Sequence, residues 1–154
     1  MSFFNSINIA GTALTAQQLR LDVLSQNMAN ADTTRTAEGG PYRRKAVLFQ
    51  ERTNTPFMTA LNASRNRSAA SSSNFSFGGG VRVSEIAIDE TPGPMVYDPS
   101  HPDANAEGYV EKPNVNVVME MVGLISASRS YEANVTAMGL TKAMMAKTFE
   151  ISRG

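Results

Sequence analysis

Residues 115–151 read VNVVMEMVGLISASRSYEANVTAMGLTKAMMAKTFEI, and this stretch decides the fold. Its apolar residues recur at alternating spacings of three and four, the pattern of a helix that packs lengthwise on another helix. Seven of the nine residues in the series are apolar, and the nine are Met121, Leu124, Ser128, Tyr131, Val135, Met138, Lys142, Met145 and Phe149. Because the last proline is Pro113, the pattern predicts one uninterrupted helix over about residues 115–151, roughly 50 Å long.

The N-terminal segment has the same period and predicts a second helix, over about residues 3–30. One series recurs every seven residues at Ile7, Leu14, Leu21 and Met28, and its companion contains Phe3, Ala10, Gln17, Leu24 and Ala31. Gln17 is the one polar break. The apolar residues form a stripe along each helix, and each stripe needs a surface to pack on. We therefore expect the two helices to pack on each other, as an antiparallel pair or a coiled-coil rod.

The middle of the chain has a different composition and predicts irregular, β-rich structure. Residues 35–116 contain all seven prolines. Four segments are candidate strands, at residues 42–50, 81–89, 95–97 and 109–110, and a β-bulge is expected near Ser84 and Glu85, where the apolar alternation shifts faces. Residues 62–80 are rich in Ser and Gly, which is typical of a flexible linker.

The predicted fold class is therefore mainly α with a β-rich insert, in which the terminal helices pair as a coiled-coil core. Residues 1–34 form the N-terminal helix of the core domain, residues 35–114 form the insert, and residues 115–154 form the C-terminal helix. Aromatic residues are only 7% of the chain. Such a thin core predicts that apolar surface is buried against another molecule.

Composition excludes several function classes. The chain has 14 basic and 14 acidic residues, which argues against non-specific nucleic-acid binding. It has no cysteine, which excludes thiolate catalysis and sulfur-ligated metal sites. It has one histidine, which argues against imidazole-based metal sites and His-dependent nucleophilic catalysis. No segment approaches the roughly 20 apolar residues of a membrane span. The first five residues lack the basic region of a secretory signal, so no cleaved signal is expected.

The candidate chemical motifs favour structure over catalysis. His101 lies between Asp98 and Asp103, where a metal site is conceivable, but a proline-rigidified turn is the favoured interpretation. The basic run at residues 43–45 could touch a phosphate or an acidic partner, although a solvated or inter-subunit salt-bridging face is favoured. The glycines at 78–80 precede a strand, so they do not form a phosphate-binding loop. We therefore expect no catalytic, metal or cofactor site.

The residues predicted to form the assembly interface are those of the helix seams. They are Ile7, Leu14, Leu21, Leu24, Met28, Leu124, Tyr131, Val135, Met138, Met145 and Phe149. The methionines among them could be ordinary seam filling or an adaptable docking surface. Asn27 and Asn30, at the end of the first helix, could form a local cap or a cap that also bonds a neighbouring chain.

Residues 25–34, SQNMANADTT, resemble the N-terminal signature of bacterial flagellar rod and hook axial proteins. The following block, residues 34–45, and the blocks at 98–110 and 113–116 resemble the proximal-rod members of that family. Residues 126–135 again match the axial family. The motif residues that carry the resemblance are Asn27, Asn30, Thr33, Gly39, Gly40, Pro41 and Tyr42.

The resemblance implies a structural subunit rather than an enzyme. Proteins of this family pair their terminal helices into a core that stacks helically around a channel, forming a rod that transmits motor torque to the hook. It further implies export without a cleaved signal through the flagellar type III apparatus, a location in the envelope-spanning basal body, and contacts with other rod subunits and base proteins.

Three alternatives remain open at this point. The chain could be another rod or hook axial subunit. It could be an envelope adaptor that binds rod, ring or peptidoglycan through residues 35–116. It could also cleave peptidoglycan, although no credible pair of carboxylates or Cys/His site is present.

Overall fold

The computed structural model describes residues 3–52 and 79–153, and the predicted linker at 62–80 lies almost wholly outside them. Along the chain the elements are α1 (Phe3–Ala29), β1 (Lys45–Glu51), β2 (Val81–Ile88), β3 (Met95–Tyr97), β4 (Tyr109–Glu111) and α2 (Val117–Arg153). The observed helices agree with the predicted spans to within two residues. The fold is thus two long helices around a β-containing middle.

Both helices begin or end where short polar side chains satisfy the backbone. Asn116 precedes α2, and its Oδ1 accepts the Met119 amide at 3.2 Å, which is N-cap geometry. At the end of α1 the Asn30 Nδ2 donates to the Gln26 carbonyl at 2.8 Å, and Asn30 Oδ1 accepts the Thr33 hydroxyl. The bond to Asn116 satisfies an amide that the helix start would otherwise leave unpaired, and the bonds of Asn30 fix the turn that ends α1.

The helices pack side by side and run in opposite directions. Asn27 contacts Glu120, a Cβ at Gly123 would lie 3.2 Å from the Leu24 side chain, and Ala16 and Tyr131 line the same groove. Residues that lie later in α1 therefore meet residues that lie earlier in α2. Close approach is possible because small residues occupy the contact, including the buried Ala16 and Ala127.

Strands β1 and β2 form an antiparallel pair that packs on α1. The register runs from Lys45 opposite Ile88 to Glu51 opposite Val81. Leu48 pairs with Glu85 and Phe49 with Val83, so Ser84 is the extra residue of a bulge, where one was predicted. Among the described helices and strands, α2 packs against α1 alone, and α1 lies between α2 and this strand pair.

Gly80 fixes the place where β2 meets α1. Its φ is +97°, and a Cβ there would lie 2.2 Å from Thr12 Oγ1. The same hydroxyl accepts the Val81 amide at 3.1 Å and donates to the Ile9 carbonyl at 2.7 Å. A side chain at residue 80 would therefore be strained and would also push the strand off the helix.

Strands β3 and β4 form a separate antiparallel pair, with Met95 opposite Glu111 and Tyr97 opposite Tyr109. The two tyrosine rings meet edge to face, with centroids 5.2 Å apart and planes at 65°. Arg43 ties this pair to the chain entering β1, since it contacts Glu111 at 3.0 Å and donates to the Thr91 carbonyl.

Candidate functional site: a polar joint and an exposed helical face

A buried polar cluster joins α1, α2 and the chain entering β1, and Asn27 is its centre. Asn27 is fully buried. Its Nδ2 donates to the Lys45 carbonyl at 2.8 Å and to Glu120 Oε2 at 2.9 Å. Its Oδ1 accepts the Tyr42 hydroxyl and the Lys45 amide, both at 3.0 Å. All four hydrogen-bonding positions of the amide are therefore used.

Glu120 completes this cluster, which we call the polar joint, defined by Asn27, Tyr42, Arg44, Asn114 and Glu120. The Glu120 side chain is 1% exposed, and its Oε1 accepts the Arg44 Nε at 2.6 Å. Its two oxygens thus have one partner each, the guanidinium and the Asn27 amide. A carboxylate buried this deeply needs such partners, because an unpaired buried charge is strongly destabilising.

Tyr42 and Asn114 extend the polar joint toward the strands. Burial raises the pKa of the Tyr42 phenol, and the negative charge of Glu120 raises it further. Asn114 Oδ1 accepts the Arg44 amide at 2.8 Å, and its Nδ2 donates to the Asp89 and Thr91 carbonyls. The polar joint thereby connects the start of β1, the end of β2 and the approach to α2.

The other motif residues form the turn that leads from α1 into the polar joint. Gly39 and Gly40 have φ values of 88° and 78°, which favour glycine. The Tyr42 amide donates to the Thr33 carbonyl at 3.0 Å, across this turn. The turn places Pro41 and Tyr42 beside the end of α1. Asn27 and Asn30 therefore act within the chain, one as a buried connector and the other as a cap.

The segment around His101 is a hydrogen-bonded turn. The His101 Nδ1 accepts the Asp103 amide at 3.1 Å, and hydrogen bonds from Ser100 lower the pKa of Asp98. Thr34 donates to Asp103 at 2.9 Å, which holds this turn against the end of α1. Across residues 3–52 and 79–153, no group of three or more His, Asp or Glu side chains is placed to hold a metal ion.

The structure places the predicted seam residues at different depths. Leu24 is buried, and Ile7, Leu14, Leu21, Met28, Leu124, Tyr131, Met138 and Met145 are half-buried. Val135 is 46% exposed and Phe149 is 64% exposed. In α2 the residues that face inward include Leu124 and Tyr131, which belong to the predicted series. The other two, Glu120 and Ala127, lie outside that series.

Phe149 is exposed because α2 extends past the start of α1. Residue 3 lies 21 positions before Leu24, and Met144 lies 21 positions after Gly123. The antiparallel register thus brings Phe3 level with Met144, so that the last turns of α2 project beyond the described part of α1. Phe149 and Ile151 stand on this projecting end and are 64% and 80% exposed.

A second exposed feature is the outer stripe of α2, which we define as Val118, Val122 and Ile125. These residues are spaced by four and three and so share one side of the helix. Each is more than half exposed. Exposed apolar residues aligned in this way are typical of a surface that another molecule covers. Neither described helix has a window apolar and long enough for a membrane span.

The sequence reasoning missed Glu120, Arg44 and Asn114. A usable signal existed for Glu120, since a lone acidic residue occupies the inner side of an otherwise uncharged stretch from Val115 to Ser128. Arg44 belongs to the basic run for which a solvated or inter-subunit salt-bridging face is predicted, and the structure instead pairs it with a buried carboxylate of the same chain. No local pattern marks Asn114.

Two family models match the chain. Residues 7–35 match the family described as "Flagella basal body rod protein", and residues 106–151 match "Flagellar basal body rod FlgEFG protein C-terminal". A Bacillus subtilis (strain 168) protein named flagellar basal-body rod protein FlgC is 49% identical, covering 99% of this chain and 100% of the relative. The chain belongs to the FlgC family of flagellar basal-body rod proteins. This confirms the resemblance seen in the sequence.

Other FlgC proteins give the same result. The one from Borreliella burgdorferi (strain ATCC 35210) is 46% identical over the full length of both chains. The one from Escherichia coli O6:H1 is 42% identical over 99% of this chain and all of the relative. The chain is accordingly a structural rod subunit of the flagellar basal body. The two matched segments contain Asn27 and Glu120, so each supplies one side of the central hydrogen bond of the polar joint.

Proposed function

We propose that this FlgC-family chain polymerises helically through α1 and α2 into the proximal rod. The resulting shaft transmits motor torque to the hook and encloses the export channel. The observation that carries this proposal is the outer stripe of α2, which is apolar and exposed. Burying an apolar side chain of this size contributes about 1.5–3 kcal/mol. Three such residues per subunit, repeated along a shaft, supply a strong summed interaction.

The projecting end of α2 supports the same proposal. Phe149 and Ile151 extend past the start of α1, where a neighbouring subunit can cover them. The predicted interface residues, from Ile7 to Phe149, then serve two purposes. The half-buried ones hold α1 to α2 as a coiled coil, and the exposed Val135 and Phe149 contact neighbours.

We also propose that the helix pair is marginal in the free subunit and becomes fully ordered on assembly. Small residues such as Gly123 and Ala127 occupy part of its contact, and larger seam residues such as Leu124 and Tyr131 are only half-buried. Helices of this kind depend on tertiary partners for most of their stability. Hydrogen exchange on the dilute chain tests this, since strong protection of both helices would contradict it.

Family membership supports the remaining parts of the proposal. The chain reaches the rod through the flagellar type III export apparatus without a cleaved signal, lies in the cell envelope and contacts other rod subunits and base proteins. It performs no enzymatic reaction. If a strain that lacks the export apparatus still places the chain in the envelope, the export route is wrong.

Electron microscopy of basal bodies tests the structural role directly. Cells that lack this chain are compared with cells that carry it on a plasmid. Loss of rods and hooks, with the membrane-embedded base retained, is the expected result. Complete rods and hooks in the deletion strain would overturn the rod role and favour an adaptor that acts through residues 35–116.

A matched pair of charge substitutions tests which surface assembles. Val135→Asp places a carboxylate on the proposed interface, whereas Ala106→Asp places one on an exposed loop of the insert. Burying the new charge is costly, so Val135→Asp should abolish swimming while Ala106→Asp swims normally. Normal swimming of the Val135 variant would place the interface elsewhere.

A further inference from the structure

We propose that the Asn27–Glu120 hydrogen bond is a register pin, which sets how far α2 is slid along α1. The bond thereby prevents the two helices from pairing in another register. It is a property of the single chain and does not depend on the proposed rod assembly.

The apolar contact between the helices discriminates only in part between registers. It contains the buried Leu24 on α1 and the small residues Gly123 and Ala127 on α2, with Leu24 lying against Gly123. The spacing of three and four repeats every seven residues, so a slide of seven positions again presents an apolar face. After such a slide Ser130 would take the place of Gly123, Tyr131 that of Leu124 and Asn134 that of Ala127. Leu24 would have to shift by a few tenths of an ångström to admit the Ser130 Cβ, so the apolar contact alone gives a modest preference, to which the polar joint adds.

No other described element holds α2 in place. Among the helices and strands of residues 3–52 and 79–153, its packing partner is α1 alone. The strand pair β1–β2 packs on α1 and is tied to the approach to α2 through Asn114, which belongs to the polar joint. The register must therefore depend on a few specific contacts between α1, the chain entering β1, and α2.

The polar joint provides these contacts, and it is satisfied in one register. Asn27 and Glu120 are fully buried, and their bond is 2.9 Å long. Arg44 holds the second Glu120 oxygen at 2.6 Å. A slide of seven residues would bring Ala127 to the place of Glu120. Asn27 would then lose a partner, and the Glu120 carboxylate would leave its guanidinium. Buried polar groups of this kind are known to specify register in helix pairs.

The absence of cysteine allows a direct test by disulfide mapping in the full-length chain. A reporter chain carries Leu24→Cys, Gly123→Cys and Ser130→Cys together. The 24–123 disulfide reports the observed register, because these two positions are in contact. The 24–130 disulfide reports the slide of seven residues. Residues 123 and 130 are ~10.5 Å apart along the helix and a disulfide joins Cα atoms only up to ~7 Å apart, so position 130 is out of reach of position 24 in the observed register.

The two disulfides are distinguishable after digestion. Trypsin cleaves after Arg129, so positions 123 and 130 fall in different peptides and mass spectrometry reads their ratio. The substitution under test is Glu120→Met, which keeps the volume and removes the acceptor. Glu120→Gln is the conservative variant: its amide oxygen still accepts from Asn27, whereas its NH2 group cannot accept from Arg44, so the variant keeps the proposed pin and removes the bond to Arg44. Leu124→Met is the control, a seam change outside the polar joint.

The reporter chain alone, the Glu120→Gln chain and the Leu124→Met chain should give the 24–123 product almost exclusively. Glu120→Met should raise the ratio of 24–130 to 24–123 by about tenfold or more, as expected for the loss of a buried charged hydrogen bond. An unchanged ratio in Glu120→Met would overturn the proposal. If Glu120→Met yields neither disulfide, the double variant Asn27→Leu, Glu120→Met is measured in the same way. Formation of the 24–130 disulfide in the double variant would support a register pin. Loss of both disulfides again would mean that the polar joint is needed for pairing itself and does not select register.

Discussion

Asn27→Asp changes one atom of the polar joint and has a calculable cost. The carboxylate can still accept the Tyr42 hydroxyl and the Lys45 amide, but it cannot donate to the Lys45 carbonyl or to Glu120. Each buried acceptor left without a donor costs about 1–3 kcal/mol. The new charge also faces the Glu120 carboxylate, where the native contact is 2.9 Å. We expect a total loss of about 3–5 kcal/mol near pH 8.

The loss should depend on pH in a defined direction. Two adjacent buried carboxylates keep a shared proton, so the pKa of the new pair is raised in the folded chain. A raised folded pKa gives stability that is present at low pH and lost as pH rises through that value. At about pH 5 the shared proton restores a hydrogen bond, and the loss should fall to about 1–2 kcal/mol.

The assay measures the urea concentration that releases half of the chain from isolated basal bodies. With a urea dependence of about 1–3 kcal/mol per molar, a loss of about 3–5 kcal/mol should lower this midpoint by roughly 1–5 M at pH 8 and by less at pH 5.5. The control is Gln26→Glu, the same amide-to-carboxylate change at the exposed neighbouring position. Equal midpoints for the two variants, or a shift that ignores pH, would refute the reasoning.

Three further predictions follow from single contacts. Gly80→Ala should lower the free energy of unfolding by about 1–3 kcal/mol, because the new Cβ would meet Thr12 Oγ1. Hydrogen exchange should become faster where β2 packs on α1, and an unchanged exchange rate would contradict the prediction. Tyr42→Phe should cost about 1 kcal/mol through its lost hydrogen bond, measured by the same urea release; an unchanged midpoint would show the bond to be neutral. Hydrogen bonds from Ser100 lower the pKa of Asp98 below 3.8, so its stabilisation is present at neutral pH and lost as pH falls. Asp98→Asn should flatten the acid dependence of melting, and an unchanged acid slope would contradict the assignment.

The local features of the fold were predictable because they depend on neighbouring residues. The helix ends follow from the polar residues around Asn30 and Asn116, which compete for backbone groups. The bulge at Ser84 follows from the point in β2 where the alternation of apolar residues shifts from one face of the strand to the other. Any partner strand would need an irregular pairing at that point. Strand β1 was predicted to begin at Tyr42 and begins at Lys45, because residues 42 and 44 bond to the polar joint.

The choice of inward-facing residues was only half predictable. In α2 the observed series keeps Leu124 and Tyr131 but pairs them with Glu120 and Ala127, where the sequence favoured Met121 and Ser128. Both companion series have the same spacing, and they lie about 100° apart around the helix. Periodicity shows that a stripe exists, but its centre depends on where the partner helix lies. Sequence hydropathy favoured the methionine, and packing chose the smaller and the charged residues.

By itself the sequence determined two long helices, a β-containing middle, and membership of the flagellar axial proteins, because period, turn chemistry and motif blocks are local properties. Only the tertiary structure decided that Asn27 reaches across 93 positions of chain to Glu120, that Arg44 neutralises that carboxylate, and that Gly80 must lack a side chain against Thr12. These contacts join segments far apart in sequence. Which side chains become buried, and which partners they find, is decided only when the segments pack. Packing is therefore what makes Glu120, a charged residue in an apolar stretch, a buried member of the polar joint.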